Sequence, residues 1–127
     1  MKRQFGNMTT DDFLAQMISF FPKIKAEVDN HREEHGEILF TCVVEDIVMP
    51  RVLKLFEVDD REKLKEMFAY FEVVSDRADR DLFNCFSVTV LEILGNDEQI
   101  LRKAKEYMGP LTMKYQWEAD LALGRKV

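Results

Sequence analysis

The chain has 127 residues, of which 46% are apolar and 33% charged, and this composition is typical of one globular domain rather than a disordered chain. A net charge of −6 argues against duplex nucleic acid or anionic membrane as direct partners, and two cysteines are too few for a disulfide scaffold. No apolar stretch is long enough to span a membrane or follows the basic N-terminus as a signal peptide would, so we expect a cytoplasmic protein.

The first third of the chain predicts two helices. Residues 1–9 are predicted to be a flexible segment. Thr10 is predicted to cap a helix that begins at Asp11, because acidic side chains in a first turn favour the positive end of the helix dipole. Pro22 is predicted either to kink this helix or to begin the next one, which continues to Gly36.

The segment 37–57 is the most ambiguous part of the sequence. Its apolar spacing fits a helix, but residues 37–44 are also β-branched enough for a buried strand. We favour the helix because Glu45 and Asp46 interrupt the apolar run and helical spacing continues beyond them. Pro50 is predicted to kink this helix or to begin a new one.

Two further helices are predicted with greater clarity. Asp59 or Asp60 is predicted to cap a helix whose apolar residues recur every three or four positions. Residues 75–80 are predicted to be a polar connector. Asp81 is predicted to begin a helix that is apolar around most of its circumference, and we therefore expect the other helices to surround it.

Asn96 is predicted to cap the next helix, and Pro110 to open the last one. Glycines stand where a left-handed residue would close a helix, at Gly36, Gly95, Gly109 and Gly124. Because the connections are short, neighbouring helices are expected to lie roughly antiparallel. The sequence therefore predicts a single all-α domain over residues 1–127, with five to seven helices packed as an irregular bundle or short helical array.

A zinc-peptidase pattern is present but is not our leading interpretation. His31 and His35 form an H-x-x-E-H sequence, in which two histidines on one helical face can grip a zinc ion and the glutamate can activate a water. The segment is highly charged and ends at Gly36, which is typical of an exposed last turn. A small metal-dependent hydrolase therefore stays as a third hypothesis, and we predict no metal ligands.

The other chemistry-bearing residues favour structural roles. Cys42 and Cys85 lie in apolar runs and are expected to be buried thiols. Glu92 is expected at the polar edge of its helix, or held by an arginine or a backbone N–H, and Trp117 is expected to pack on the core. Phosphate-binding glycine loops and nucleophile elbows are missing from the sequence. We therefore predict no catalytic residues, no cofactor and no enzymatic activity.

The order of several sequence blocks resembles a known family. A Phe-Leu helix at 13–14, an acidic cap at 59–60, a Val-Leu-Glu block at 90–92 and a Tyr-Met-Gly-Pro block at 107–110 carry the similarity. This arrangement resembles a family of small uncharacterised bacterial helical domains that look like immunity partners of polymorphic toxins. The resemblance implies a protein that neutralises a cognate toxin by stoichiometric binding and carries over no catalytic residues.

The charge distribution suggests where such a partner would bind. Residues 37–100 carry 15 acidic and 7 basic side chains, whereas residues 101–127 carry 3 acidic and 6 basic ones. An acidic middle suits a basic partner such as a nuclease toxin, although it is also typical of an ordinary solvated face. The predicted partner-binding residues are Glu45, Asp46, Glu57, Asp59, Asp60, Asp76 and Asp79. The alternative is a self-associating helical adaptor or regulator; the sequence leaves the oligomeric state open.

Overall fold

The structure, a computed structural model, describes residues 4–125, and the described residues form seven helices and no β-strand. The helices are α1 (Thr10–Phe20), α2 (Ile24–His35), α3 (residues 40–57), α4 (Arg61–Arg77), α5 (residues 80–94), α6 (Glu98–Lys105) and α7 (Pro110–Ala122). Two of them contain a wider, π-helical stretch, at Val44–Val48 in α3 and at Phe86–Leu91 in α5. The predicted all-α fold class is confirmed.

The first helix begins one residue earlier than predicted. Thr9, not Thr10, caps α1, and its hydroxyl accepts the backbone N–H of Asp12 at 3.1 Å. The Asp12 carboxylate accepts the backbone N–H of Thr9 at 2.9 Å in return, so the two residues form a capping box. Pro22 lies in the turn between α1 and α2, so neither predicted role for it, kinking the helix or beginning the next, is correct.

The helical interpretation of the ambiguous segment is correct. Residues 37–39 form a link, and α3 then runs continuously through Pro50 without a new helix beginning there. The π-helical stretch lies directly before this proline, and the Met49 N–H reaches back to the carbonyl of Val44. A regular turn would bring the proline ring against the carbonyl of residue 46, so the wider turn accommodates the proline within the helix.

The predicted connector at 75–80 is mostly helical. Helix α4 continues to Arg77, and the Ser75 hydroxyl donates to the carbonyl of Phe71, so this polar side chain is satisfied inside the helix. Only Ala78 and Asp79 separate α4 from α5. The polarity of Ser75 and its neighbours therefore predicted a helix end too early.

Aspartates cap three of the helices. Asp60 accepts the Lys63 N–H at 3.2 Å, and Asp79 accepts the Leu82 N–H at 2.9 Å, so α5 begins at residue 80 rather than at the predicted Asp81. Asp97, not Asn96, caps α6, because its carboxylate accepts the backbone N–H groups of Gln99 and Ile100. Each carboxylate thereby satisfies amides that the first helical turn leaves without partners.

The four glycines divide into two kinds. Gly36 and Gly124 have the predicted left-handed backbone, each with φ of 74°. Gly95 and Gly109 have φ of −80° and −77°, so the left-handed prediction is wrong for them. Gly109 does not close a helix but stands at the N-cap of α7, directly before Pro110.

An N-terminal strap, residues 5–8, lies across the junction of α4 and α5. Met8 donates to the carbonyl of Arg77 and accepts the N–H of Asp79, and Gly6 donates to the carbonyl of Ala78. Gly6 and Met8, in the segment predicted to be flexible, are thus hydrogen-bonded to the helical body. Residues 1–3 lie outside the described part of the chain.

The core is aromatic and is built around α5. Fully buried phenylalanines from three helices meet in it, at Phe13, Phe68, Phe71 and Phe86. Helix α5 contacts α1, α3, α6 and α7, but Val88 on this helix is exposed, so the other helices surround it only in part. Within residues 4–125, no helix combines the length and apolar character needed to cross a lipid bilayer.

Candidate functional site

The two π-helical stretches contact each other across the interface between α3 and α5. Such wide turns are rare and are found frequently at functional sites, because they redirect side chains that a regular helix would place elsewhere. Glu45 lies in the first stretch, and Val88 and Thr89 lie in the second. The surface where these stretches meet is therefore the candidate site.

A groove of about 470 Å³ lies at this surface, and we call it the α3–α5 groove. Its lining comes from α3, α5, the α5–α6 turn and the residues after α7, and consists of Thr41, Glu45, Val88, Thr89, Glu92, Ile93, Asn96, Leu123 and Arg125. Val88 and Leu123 are 56% and 47% exposed, so the groove has an aliphatic rim. The site thus combines apolar contact area with carboxylate, amide and hydroxyl groups.

The electrostatic balance of the groove is negative. Glu45 is exposed and Glu92 is half-buried, and neither carboxylate forms an ion pair with a described residue. The one cation in the lining, Arg125, lies 2.9 Å from the nearly buried carboxylate of Asp120 and neutralises it. The two glutamates therefore leave the groove with a negative charge that a cationic ligand would balance.

A thiol lies beneath the groove and is poorly suited to nucleophilic catalysis. Cys85 is buried as predicted, with its Sγ atom 3.6 Å from the Thr41 hydroxyl and 3.8 Å from the Thr89 hydroxyl. Burial raises the pKa of the Cys85 thiol, although the two threonine hydroxyls act in the opposite direction. The prediction for Cys42 is wrong, since this residue lies on an exposed face of α3.

The predicted acidic residues do not form a single site. Glu45 lines the groove and Asp46 is its exposed neighbour, whereas Glu57, Asp59 and Asp60 lie together at the α3–α4 turn. Asp76 and Asp79 lie near the other end of α4, and about 24 Å of helix separates Asp60 from Asp76 at ~1.5 Å per residue. The sequence therefore predicted a face that the fold divides into three regions.

Several of these carboxylates already have local partners. Asp60 and Asp79 are the helix caps described above. Exposed ion pairs join Glu57 to Lys54, Asp59 to Arg61 and Asp76 to Arg77. Exposed pairs of this kind contribute little to stability, so these acids remain available to a partner.

The histidine pair takes part in the structure at the end of α2. The rings of His31 and His35 stack with centroids 4.2 Å apart, and His35 Nδ1 lies 3.0 Å from the carbonyl of His31. The Nε2 atom of His31 accepts the backbone N–H of Leu39 at 3.1 Å. Within residues 4–125, no three His, Cys, Asp or Glu side chains are grouped so that they could hold a metal ion.

We expect His31→Ala to lower the free energy of unfolding by about 1 kcal/mol, because the Leu39 N–H loses its acceptor. Chemical denaturation measures this change, with Glu33→Ala on the exposed face of α2 as the control. Zinc content should be measured on the same preparations. Stoichiometric zinc that disappears in His31→Ala would instead support the hydrolase hypothesis.

Residues 14–122 match the model of a protein family described as a domain of unknown function, DUF7674. The chain belongs to the DUF7674 family. No curated protein and no solved structure matches it. The DUF7674 match includes every residue that lines the α3–α5 groove except Leu123 and Arg125.

Sequence reasoning missed most of the groove in this DUF7674 domain. Val88, Asn96 and Arg125 carry no local motif, and only the packing of α5 against α3 and α7 brings them together. Trp117 was also misjudged, since it is 52% exposed while the adjacent Gln116 is buried. An unused signal was Asp120, an acid within the last helix that requires a nearby cation when buried, and this cation is the groove residue Arg125.

Proposed function

We propose that this DUF7674 domain is a cytoplasmic protein-binding domain that forms a stoichiometric complex with a basic partner. In the more specific form of this proposal, the partner is a bacterial toxin domain, and formation of the complex neutralises the toxin. The observation that carries the proposal is the α3–α5 groove, where Glu45 in the first π-helical stretch and Glu92 directly after the second have no ion-pair partners among the described residues.

The chemistry of the groove selects the kind of partner. A lysine or arginine side chain has an apolar stem and a charged end, and the stem packs against apolar surface while the charged end stays in water. The rim of Val88 and Leu123 suits the stem, and the carboxylates of Glu45 and Glu92 suit the charge. A basic protein surface therefore fits this groove better than an acidic or purely apolar one.

The acids outside the groove support the same proposal in a different way. Glu57, Asp59 and Asp60 at the α3–α4 turn, with Asp76 and Asp79 at the other end of α4, keep the surface negative over a wide area. A field of one sign accelerates the encounter with an oppositely charged partner and disfavours partners of like charge. These residues would therefore affect the association rate more than the lifetime of the complex.

The experiment is co-expression of the tagged domain with the product of the gene immediately upstream, a toxin candidate. We expect a one-to-one complex that abolishes the partner's toxicity. In the double variant Glu45→Lys with Glu92→Lys, calorimetry should show a dissociation constant at least about tenfold higher, which corresponds to ~1.4 kcal/mol.

The matched control is Glu33→Lys with Glu66→Lys, which makes the same change in net charge on exposed faces of α2 and α4. If the control weakens the complex as much as the groove variant does, the groove is not the binding site. If no complex forms with any basic partner, the proposed function itself is wrong.

One observation favours a second candidate function, a self-associating adaptor. Trp117 and Leu121 lie one turn apart on α7, and both are about half exposed. Exposed aromatic and aliphatic side chains at helical spacing are typical of helix-to-helix interfaces. Sedimentation equilibrium tests this candidate, since a dimer that dissociates in Trp117→Ala would favour self-association.

A further inference from the structure

The side chain of Arg125 folds back from the end of α7 onto the turn between α5 and α6. Its Nη1 atom donates to the Asp120 carboxylate at 2.9 Å. Its Nη2 atom donates to the backbone carbonyl of Glu92 at 3.2 Å and to the side-chain oxygen of Asn96. We call these three acceptors the guanidinium cradle.

The cradle is part of the folded body rather than a chance surface contact. The Asp120 side chain is only 4% exposed, and it also accepts the Nε2–H of Gln116, a fully buried residue on the same helix. A buried carboxylate is costly unless a cation and hydrogen bonds compensate it. Asp120 is therefore fixed in place, and its buried negative charge requires a cation within contact distance.

Gly95 provides the space for this cation. A Cβ atom at Gly95 would overlap both Nη1 of Arg125 and Oδ1 of Asp120. Since φ of Gly95 is −80°, the backbone there is open to any residue, and the space alone accounts for the glycine. The absence of a side chain at Gly95 thus leaves room for a planar guanidinium group.

The arrangement of acceptors selects guanidinium over ammonium. The two terminal nitrogens of Arg125 point to different acceptors, a carboxylate on one side and two oxygens on the other. A planar fork can satisfy both directions at once, whereas the single charged nitrogen of lysine cannot span them. The cradle also opens into the α3–α5 groove, which Glu92, Asn96 and Arg125 help to line.

We propose that the cradle is a guanidinium-binding site, which Arg125 occupies in the free domain and an arginine of the partner occupies in the complex. The binding of a partner's arginine in the cradle rests on the proposed function, whereas the occupation of the cradle by Arg125 does not. Arg125 lies beyond the last helical turn, after the left-handed Gly124, so its side chain can leave without unwinding α7. Release of Arg125 would extend the groove to the buried carboxylate of Asp120.

The test uses the probe N-acetyl-arginine methylamide and the variant Arg125→Ala, followed by amide chemical shifts in NMR titrations. We expect the probe to bind Arg125→Ala with a dissociation constant in the millimolar range, and wild type at least about twofold more weakly, because a tethered competitor at millimolar effective concentration occupies about half of the sites that have millimolar affinity. N-acetyl-lysine methylamide should bind Arg125→Ala at least about tenfold more weakly than the arginine probe.

Asp120→Asn in the Arg125→Ala background is the matched control, and it should abolish probe binding. If Arg125→Ala does not fold, Arg125→Lys replaces it, and the arginine probe should then bind this variant more tightly than wild type. No binding by any variant, equal binding of the lysine probe, or binding that survives Asp120→Asn would each overturn the site.

The exchange of occupants has a separate readout in the complex. Removing the internal competitor should make Arg125→Ala bind the basic partner more tightly than wild type, by at least about twofold at millimolar effective concentration. Unchanged or weaker affinity would overturn the exchange, even if the probe binds. Failure to find any partner would contradict the proposed function while leaving the probe result intact.

Discussion

Replacing Phe71 with alanine is expected to lower the free energy of unfolding by about 3–5 kcal/mol. Phe71 is fully buried in α4, and its ring centroid lies 5.1 Å from that of Phe68, 5.4 Å from that of Phe86 and 6.4 Å from that of Phe13. The substitution would leave a cavity among rings from α1, α4 and α5. Lost apolar burial and lost packing contacts both add to the cost.

Urea denaturation followed by circular dichroism measures this effect. Val73→Ala provides the control, because Val73 lies on the same helix but is exposed, and we expect a change of at most about 0.5 kcal/mol there. A loss below ~1 kcal/mol for Phe71→Ala would show that the rings do not pack as described. Because α5 carries one wall of the α3–α5 groove, the same variant should also weaken partner binding.

The second large effect is expected at Glu72, which caps a helix other than its own. Its carboxylate accepts the backbone N–H groups of Leu111 and Thr112, both at 2.9 Å, and the Thr112 hydroxyl at 2.8 Å. Helix α7 begins at Gly109 and Pro110 and has no capping side chain of its own. Glu72 therefore replaces the missing cap from α4 and joins the two helices.

We expect Glu72→Gln to lower the free energy of unfolding by about 1–3 kcal/mol at neutral pH. Leu111 and Thr112 donate to different oxygens of the carboxylate, and glutamine has no charge and replaces one of these oxygens with an NH2 group that cannot accept. The control is Glu66→Gln, an exposed position on the same helix, where the change should be near zero.

The Glu72 contribution should depend on pH. Burial by itself would raise the pKa of Glu72, but the hydrogen bonds from Thr112 and Leu111 outweigh it and hold the pKa below the usual 4.5. A carboxyl whose pKa is lower in the folded state stabilises the fold above its unfolded pKa and loses this effect as pH falls through the folded value. The difference in stability between wild type and Glu72→Gln should therefore shrink below about pH 4.5.

Denaturation curves at about pH 7 and about pH 3 test this dependence directly. A difference between the two proteins that stays constant over this range would mean that the charge of Glu72 does not contribute to capping α7. A difference that grows toward low pH would contradict the direction given for its pKa.

Helix positions were predictable from the sequence because they depend on local spacing. The apolar periodicity of residues 61–74 and the Gly109–Pro110 boundary each placed a helix correctly. Cap residues were often missed by one position, as with Asn96 and Asp97, because adjacent capping residues differ only in local geometry. The polar end of α4 was misread because Ser75 finds its hydrogen-bond partners inside the protein.

The candidate site was largely beyond sequence reasoning, for a physical reason. The groove depends on two π-helical stretches, and a one-residue change in helical turn rotates every following side chain by about 100°. Glu45 was predicted as a binding residue from charge alone, whereas Leu123 and Arg125 reach the same groove only through the path of α7. The apolar periodicity of the sequence does not indicate which residues of α3, α5 and the end of α7 line the same groove.

The N-terminal strap has a consequence for how this chain folds. The pairing of Met8 with Ala78 closes a loop that spans more than half of the chain, and closing long loops costs more chain entropy than forming local contacts. In return the strap gains three backbone hydrogen bonds and a few side-chain contacts, among them Phe5 with Phe83 and Met8 with Tyr70. We therefore expect it to dock last during folding and detach first from the native state, so that the Gly6 and Met8 amides exchange with solvent deuterium well before the amides of α4.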